Sequence, residues 1–212
     1  MGNYYPLLVD LSKIKCLIIG GGEVALRKIL SLKEAGADIT LISPRIIAPL
    51  LKIVEDGEIK FIKKIYQKGD LQGFRLVYVA IDDKKVSREI SAEAQEEGVL
   101  LNNADSPLQG NFIVPSKIQR GDLYLCFSTN GKSPLLAKKI RQDLEERYGW
   151  EYAEFLQLLG RERIWAQQEV TEIDLRKAYF EELVFSDLLD LLKSGQTDMV
   201  NKRIDAMREK TL

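Results

Sequence analysis

The stretch KCLIIGGGEVALRKILSLKEAGADITLIS, residues 15–43, decides the fold of this chain. Residues 14–19 form a continuous apolar run, which is typical of a strand buried on both faces. Three glycines follow, and residues 23–36 then carry apolar side chains at helical spacing up to a terminal glycine. Residues 38–43 predict a second strand. The order of strand, glycines, helix and strand indicates the start of a nucleotide-binding parallel sheet.

The alternation of strands and helices continues through the first half of the chain. Further strands are predicted over residues 59–62, 74–81 and 99–105, with a helix over residues 84–98. Such alternation is typical of a parallel sheet with right-handed crossovers. We therefore predict an α/β fold in which residues 1–112 form a Rossmann-type domain.

The pattern changes in the second half of the chain. Residues 111–116 and 122–129 predict strands with no helix between them, and the next helix has Ser133 as a candidate N-cap before a proline. An apolar stripe follows one face of that helix, formed by Leu136, Ile140, Leu144 and Tyr148. We predict a mixed strand and helix segment over residues 113–149 and a small helical C-terminal domain over residues 150–212.

Composition restricts the classes of partner and compartment. The formal net charge is −1, which excludes a molecule built as a whole to bind nucleic acid or an anionic membrane. No run reaches the roughly 18 apolar residues of a membrane span, and the first residues lack the features of a signal peptide. We expect a cytoplasmic protein in which Cys16 and Cys126 are buried, reduced thiols.

The chain contains no histidine. This removes the usual general base near neutral pH and the commonest protein metal ligand, and with them a Ser-His-Asp triad. Two isolated cysteines do not make a zinc site, so we predict no protein-held metal. Proton transfer must then fall to Asp, Glu, Lys or Tyr.

The glycines have the spacing of a dinucleotide-binding turn. Gly20, Gly22 and Ala25 spell G-x-G-x-x-A between the predicted strand and helix. The first glycine permits a tight turn, the second lets the backbone approach a pyrophosphate, and the small alanine permits close packing of helix on strand. A helix that starts near Glu23 directs free N–H groups at the phosphates. A simple tight turn is the alternative, but the flanking elements favour a dinucleotide.

The second strand ends without the acid that usually binds the adenine ribose. The chain has Ser43, Pro44 and Arg45 at that point. A serine hydroxyl or a backbone N–H can bind a ribose oxygen, and Arg45 can meet a 2′-phosphate, which would favour NADP. Arg45 can equally be a solvated loop charge. The residues alone leave NAD and NADP open.

Asp105 follows the fifth predicted strand, at the edge of the sheet where ligands bind in open parallel sheets. This places it within reach of a nicotinamide. Aspartates also serve freely in caps and turns, so its position alone does not make it catalytic.

Four stretches, taken together, resemble precorrin-2 dehydrogenase, which also forms the N-terminal module of siroheme synthase. They occur in this order: GGGEVALRK (20–28), AIDD (80–83), NNADSPLQGNFIVPS (102–116) and FSTNGKSPLLAKKIRQDLE (127–145). The resemblance covers residues 1 to about 148. It implies an oxidoreductase of sirohaem (porphyrin-type) biosynthesis that oxidises precorrin-2 to sirohydrochlorin with NAD⁺.

The resemblance also implies roles for particular residues. Asp105 falls on the family's key acid–base residue, which suits a chain without histidine. The absence of an acid after the second strand matches the family and favours NAD. The residues expected to bind the cofactor are Gly20, Gly21, Gly22, Glu23, Val24, Ser43, Pro44, Arg45 and Ala80.

The tetrapyrrole substrate carries several carboxylates, so cations should lie near it. Residues 115–141 hold six basic side chains and one acid, although a solvated basic helix face explains about half of them. The resemblance implies substrate contact or regulation for Ser128, although a serine at a strand end is equally a turn former. Turns and caps explain the two asparagines in the set equally well. The predicted substrate-binding residues are Asn103, Asn111, Lys117, Arg120, Ser128 and Lys132.

The family further implies a homodimer made through the mixed segment. Some relatives also insert iron into sirohydrochlorin, which this chain's residues neither require nor exclude. The alternative function is an NAD(H)-sensing Rossmann module without catalysis. Such a module needs neither an acid at the sheet edge nor a local basic cluster, and both are present.

Overall fold

The computed structural model describes residues 4–212 and divides into two compact units. The first unit ends at Val114, and the second runs from Pro115 to Leu212.

The first unit is built on a five-stranded parallel sheet with the strand order β3-β2-β1-β4-β5. Its strands are β1 (Lys15–Ile19), β2 (Asp38–Ile42), β3 (Lys60–Ile62), β4 (Leu76–Val79) and β5 (Leu100–Asn103). The strand order reverses between β1 and β4, and in such sheets the ligand crevice lies outside the carboxyl ends of the strands at that point. The predicted Rossmann-type α/β fold is confirmed.

Three helices connect the strands of this sheet: α1 (Glu23–Glu34), α2 (Ala48–Glu55) and α3 (Lys84–Glu96). The carboxylate of Asp83 caps α3 by accepting hydrogen bonds from the N–H groups of Lys85 and Val86. The sequence interpretation did not include α2. This helix has only 8 residues and begins after Ile47 with no side-chain cap, so it lacks the usual start signal.

The core of the first unit covers both faces of the sheet. Cys16 and Ile18 of β1 pack on one side with Ile29 of α1, whereas Leu17 and Ile19 pack on the other side with residues of α3. Burial on both faces explains why β1 is a continuous apolar run.

A buried carboxylate ties the loop after β3 to α3. Glu93 is 2% exposed, and its oxygens accept hydrogen bonds from the Tyr66 hydroxyl and from the N–H groups of Gly69 and Leu71. The hydrogen bonds of the buried Glu93 carboxylate are therefore made by uncharged donors.

The second unit begins with an antiparallel hairpin, β6 (Ser116–Arg120) and β7 (Leu123–Phe127), followed by α4 (Pro134–Arg147). The Ser133 hydroxyl oxygen accepts a hydrogen bond from the N–H of Leu136, as expected of an N-cap. None of the residues of α4 is buried: Leu136 is exposed, and the rest of the predicted stripe is half-buried.

Two sequence expectations for this region are wrong. Residues 111–115 are not a strand, because the N–H groups of Asn111 and Phe112 bond to the carbonyl of Leu101, and strand β6 begins only at Ser116. Cys126 is exposed, because side chains alternate along β7 and this one lies on the open face. Cys16 is buried as predicted, and both thiols are free.

The rest of the second unit consists of four helices: α5 (Glu151–Glu169), α6 (Ile173–Phe185), α7 (Leu188–Lys193) and α8 (Thr197–Thr211). They enclose a core of their own around Leu158, Tyr179 and Leu183. None of the helices in the described part of the chain is long and apolar enough to cross a membrane.

An ion pair between a buried carboxylate and a partly exposed arginine crosses this helical core. Glu162 of α5 is 3% exposed and accepts two hydrogen bonds of 2.8 Å from the guanidinium of Arg208 in α8. The Tyr179 hydroxyl donates a third bond of 2.7 Å, and the guanidinium lies 4.9 Å from the ring centroid of Trp165. Arg208 and Glu162 therefore hold three helices together.

Candidate functional site

The turn of residues 20–22 lies where β1, β2 and β4 end. Gly20 donates a hydrogen bond of 3.0 Å to the carbonyl of Ile42, and Ala80 donates one of 2.8 Å to Ile19. The turn is therefore fixed between the ends of the central strands.

Gly20 and Gly21 are required by the fold itself. Gly20 has φ +124°, and a Cβ there would lie 2.1 Å from the carbonyl oxygen of Ala80. A Cβ on Gly21 would lie 2.0 Å from the carbonyl oxygen of Arg45. Gly22 differs, since a Cβ there would meet nothing within 4 Å. Open backbone at Gly22 is what the approach of a pyrophosphate requires.

Helix α1 starts at this open glycine. Gly22 is its N-cap and provides no side-chain hydrogen bond, so the first N–H groups of the helix are left for a ligand. Glu23 is exposed and Val24 is half-buried in the first turn, while Ala25 is fully buried against the sheet. The glycine turn and the uncapped helix together fit the phosphates of a dinucleotide.

The end of β2 is arranged differently from the prediction. The Ser43 side chain is buried, and its hydroxyl donates a hydrogen bond of 2.6 Å to the carbonyl of Arg45. This hydroxyl holds the loop instead of pointing outward to a ribose. The side chains of Pro44 and Arg45 are exposed.

The carboxylate of Asp105 is exposed at the end of β5. Its backbone is held by Asn103, whose side-chain oxygen accepts hydrogen bonds from the N–H groups of Asp105 (3.2 Å) and Ser106 (3.0 Å). The N–H of Ala104 also donates to the carbonyl of Val79, which extends the pairing of β5 with β4. Asp105 thus lies on a fixed turn at the carboxyl edge of the sheet.

The two predicted substrate asparagines are used by the protein itself. Asn103 is only 2% exposed and forms the turn just described. The Asn111 amide accepts a hydrogen bond from the N–H of Leu101 (2.7 Å) and donates one to the carbonyl of Val99 (2.8 Å), as a neighbouring strand would. This geometry favours the structural alternative for both residues.

The other predicted substrate residues belong to the second unit. The guanidinium of Arg120 donates to the carbonyl of Tyr148 (2.9 Å) and lies 5.4 Å from the ring centroid of Trp150, so it stabilises the end of α4. The Ser128 hydroxyl accepts a hydrogen bond from the N–H of Asn130 in the turn after β7. Lys117 and Lys132 are exposed.

Two cations of the first unit were missed in the sequence. Lys63 directly follows β3 and is exposed at the same edge of the sheet as Arg45. The sequence could have indicated this, because Lys63 comes directly after the third apolar run. Lys28 lies 5.3 Å from the ring centroid of Tyr78 on the buried side of α1. Burial lowers the pKa of Lys28 and raises the pKa of Tyr78 to about 12.

Among residues 4–212, no three His, Cys, Asp or Glu side chains come together as a possible metal site.

Models of three known families match the chain in sequence order. Residues 7–116 match a family described as "Putative NAD(P)-binding". The chain belongs to this NAD(P)-binding family. Residues 120–147 match the sirohaem biosynthesis protein central region, and residues 151–207 match the sirohaem synthase dimerisation region. The dimerisation region therefore falls on the helical part, C-terminal to the segment over which we predicted dimerisation.

Similar full sequences carry the name siroheme synthase. That of Nitrosococcus oceani is 29% identical over 207 residues, which cover 98% of this chain and 44% of that protein. That of Methylococcus capsulatus is 31% identical over 196 residues, or 92% of this chain and 41% of that protein. The chain thus spans less than half the length of these curated relatives. The family resemblance seen in the sequence is confirmed.

A solved structure named "SirC, precorrin-2 dehydrogenase" is also similar. It superposes with a TM-score of 0.74 at 26% sequence identity, covering 94% of this chain and all of that chain. The likeness extends beyond the Rossmann unit into the helical part. The predicted dinucleotide cofactor is supported by the NAD(P)-binding family and by this neighbour.

Proposed function

We propose that this protein catalyses the NAD-dependent oxidation of precorrin-2 to sirohydrochlorin in sirohaem biosynthesis. The observation that carries the proposal is the likeness to precorrin-2 dehydrogenase along 94% of this chain and the whole of that one. The glycine turn, the uncapped α1 and an exposed aspartate at the same sheet edge supply the chemistry that this reaction needs.

The first unit holds the cofactor. The open backbone at Gly22 and the first turn of α1, from Glu23 to Val24, receive the pyrophosphate. Ala80, at the end of β4, lies beside Gly20 and closes the floor of the site. When bound, NAD⁺ supplies a nicotinamide that accepts a hydride from the substrate.

Asp105 is the acid–base residue in this proposal. Loss of a hydride leaves a cationic and more acidic ring system, and the Asp105 carboxylate takes the released proton. The Asn103 turn fixes the backbone of Asp105 and leaves its carboxylate exposed to a substrate. Asn103 is therefore a positioning residue for Asp105.

Exposed cations attract the carboxylates of the substrate. Lys117, Lys132 and Ser128 of the second unit remain the predicted contacts. Arg120 already stabilises α4 through backbone carbonyls, so its contribution to substrate binding is a further prediction.

The proposal includes a homodimer formed through the second unit, which the match to a dimerisation region supports. We retain the three-part division 1–112, 113–149 and 150–212, and a cytoplasmic location, as predictions.

The test is anaerobic turnover of precorrin-2 with NAD⁺, followed by the absorption spectrum of sirohydrochlorin. We expect Asp105→Asn to reduce kcat by about 100-fold or more while dinucleotide affinity is unchanged. The matched control is Asp56→Asn, an exposed aspartate after α2, which should keep wild-type turnover.

Three outcomes separate the alternatives. Equal rates for wild type and Asp105→Asn would retain the enzyme and reduce Asp105 to a structural residue. Tight binding of NAD⁺ without any product from the wild type would favour the sensing module. Failure to bind either NAD⁺ or NADP⁺ would contradict both functions.

A further inference from the structure

Strand β2 ends at Ile42 without a carboxylate at its tip. In sites of this fold, an acid at the end of the second strand accepts a hydrogen bond from the ribose 2′-hydroxyl and repels a 2′-phosphate. Here that position is Ser43, whose buried hydroxyl is bonded to the Arg45 carbonyl. The next acid along the chain is Glu55, at the far end of α2 and about 10 Å further along the helix axis.

The backbone of Arg45 is fixed against the phosphate-binding turn. Its carbonyl accepts the Ser43 hydrogen bond and lies where a Cβ on Gly21 would be. Two residues later, the N–H of Ile47 donates a bond of 3.0 Å to the carbonyl of Gly21. The loop is thus joined to the glycine turn on both sides of Arg45, while the guanidinium itself is exposed. An arginine fork matches the geometry of a phosphate.

A second cation lies at the same edge of the sheet. The N–H of Ser43 donates to the carbonyl of Ile62, so Lys63 follows β3 beside the end of β2. Within residues 4–212, neither Lys63 nor Arg45 has a side-chain ion pair. The neighbouring Lys64 is paired with Asp70, and Lys60, at the start of β3, is paired with Asp38.

We propose that Arg45 and Lys63 form a subsite for the 2′-phosphate of NADP, so that this protein binds NADP(H) at least as tightly as NAD(H). The proposal rests on the proposed function, because it concerns the adenosine end of the same dinucleotide site. It adds a second cofactor to the one that the family resemblance implies.

The test is isothermal titration calorimetry of the full chain with NAD⁺ and with NADP⁺ at low ionic strength. The wild type should bind NADP⁺ with a Kd equal to or below that for NAD⁺. Arg45→Ala and Lys63→Ala should each weaken NADP⁺ by about tenfold, because each loses a charge-assisted hydrogen bond to phosphate. Lys63→Ala, at a residue outside the set expected to bind NAD, should leave NAD⁺ within about twofold. Added KCl should weaken NADP⁺ more than NAD⁺.

Lys60→Ala is the matched control. Lys60 begins β3, at the end of the strand opposite to Lys63, so its loss should affect neither dinucleotide. NADP⁺ binding more than about tenfold weaker than NAD⁺ in the wild type would overturn the subsite and leave the proposed function intact. Tight NADP⁺ binding that is unchanged in Arg45→Ala and in Lys63→Ala would also overturn the subsite. Failure of both dinucleotides to bind would instead remove the proposed function.

Discussion

The parallel sheet of the first unit and the hairpin of the second are both rich in apolar residues, but they bury them very differently. In β4 every residue is buried, since helices cover both faces of the sheet. In β7 no residue is buried, and α4 beside it has none either. A two-stranded sheet is marginal alone in water, so the hairpin depends on what packs against it. The first unit completes its own core, whereas the hairpin and α4 leave apolar surface for a partner.

The second unit therefore takes its stability from its helices and not from its hairpin. The helical core is crossed by the pair of Glu162 and Arg208. Substitutions in the two units test this contrast.

The largest effect is expected from Arg208→Ala. It leaves the Glu162 carboxylate buried with only the Tyr179 hydroxyl as a partner, which should reduce the free energy of unfolding by about 3–5 kcal/mol. Urea unfolding followed by tryptophan fluorescence measures this, because Trp150 and Trp165 both lie in the second unit.

Arg203→Ala is the control for Arg208→Ala. Arg203 makes a two-point pair with Asp187, but both side chains are exposed and screened by water, so the loss should be much smaller than that of Arg208→Ala. Equal losses for the two arginines would contradict a stabilising role for the pair of Glu162 and Arg208.

Gly21→Ala tests the tight closure of the first unit and should reduce its stability by about 3 kcal/mol. The new Cβ would lie 2.0 Å from a backbone oxygen, and the loop must move to admit it. Gly22→Ala adds the same methyl group in open space. It should reduce stability by less than about 1 kcal/mol yet weaken NAD⁺ binding. Thermal unfolding followed by far-UV circular dichroism measures the loss of stability, and calorimetric titration measures NAD⁺ binding. Similar losses of Tm for Gly21→Ala and Gly22→Ala would contradict the difference between the two glycines.

Leu136→Glu tests the open face of α4. If a second copy covers this face, the charge should raise the dimer dissociation constant by about 30-fold, equivalent to about 2 kcal/mol, with little change in monomer stability. Analytical ultracentrifugation measures the constant. Gln142→Glu adds the same charge to an exposed position of α4 and should leave it unchanged. An unaltered dimer in both variants would move the interface to the helical region that matches the dimerisation model.

A further effect is a loss of stability in alkali that belongs to the first unit's core. Burial raises the pKa of Tyr78 to about 12 and that of Cys16 to about 11, from ordinary values of 10.0 and 9.0. The unfolded chain therefore loses these protons first, so stability is complete below pH 9 and falls as the pH rises toward 12. Each group contributes up to about 1.4 kcal/mol per pH unit within its own window.

Tyr78→Phe should flatten this fall between pH 10 and pH 12, because the ring and its contact with Phe112 remain while the titrating hydroxyl is lost. Urea unfolding at intervals of half a pH unit measures the slope. An unchanged slope would show that other groups cause the alkaline loss.

The sequence predicted those features that depend on neighbours in the chain. The strands β1, β2 and β4 are long apolar runs, and the N-cap at Ser133 acts on a residue three positions away. What it missed depends on distant partners. Nothing local indicates that Asn111 bonds to β5, which is why residues 111–115 resembled a strand.

The same limit applies to the site. The spacing of the glycines predicted the turn, but the inward direction of the Ser43 hydroxyl depends on a loop held against Gly21. Burial of Glu93 and Glu162 was equally hidden, because their partners lie 17 to 46 residues away along the chain. Local sequence patterns predict the fold, whereas long-range contacts determine which polar side chains are exposed to a ligand.

The buried Ser43 also limits how cofactor preference can change during evolution or redesign. An aspartate at this position would set its carboxylate against the carbonyl oxygen of Arg45, two acceptors without a donor between them in a buried place. The simplest route to strict NAD selectivity, an acid at the tip of the second strand, is therefore closed at residue 43. The exposed neighbours Pro44, Arg45 and Lys63 remain open to substitution, because their side chains do not hold the glycine turn.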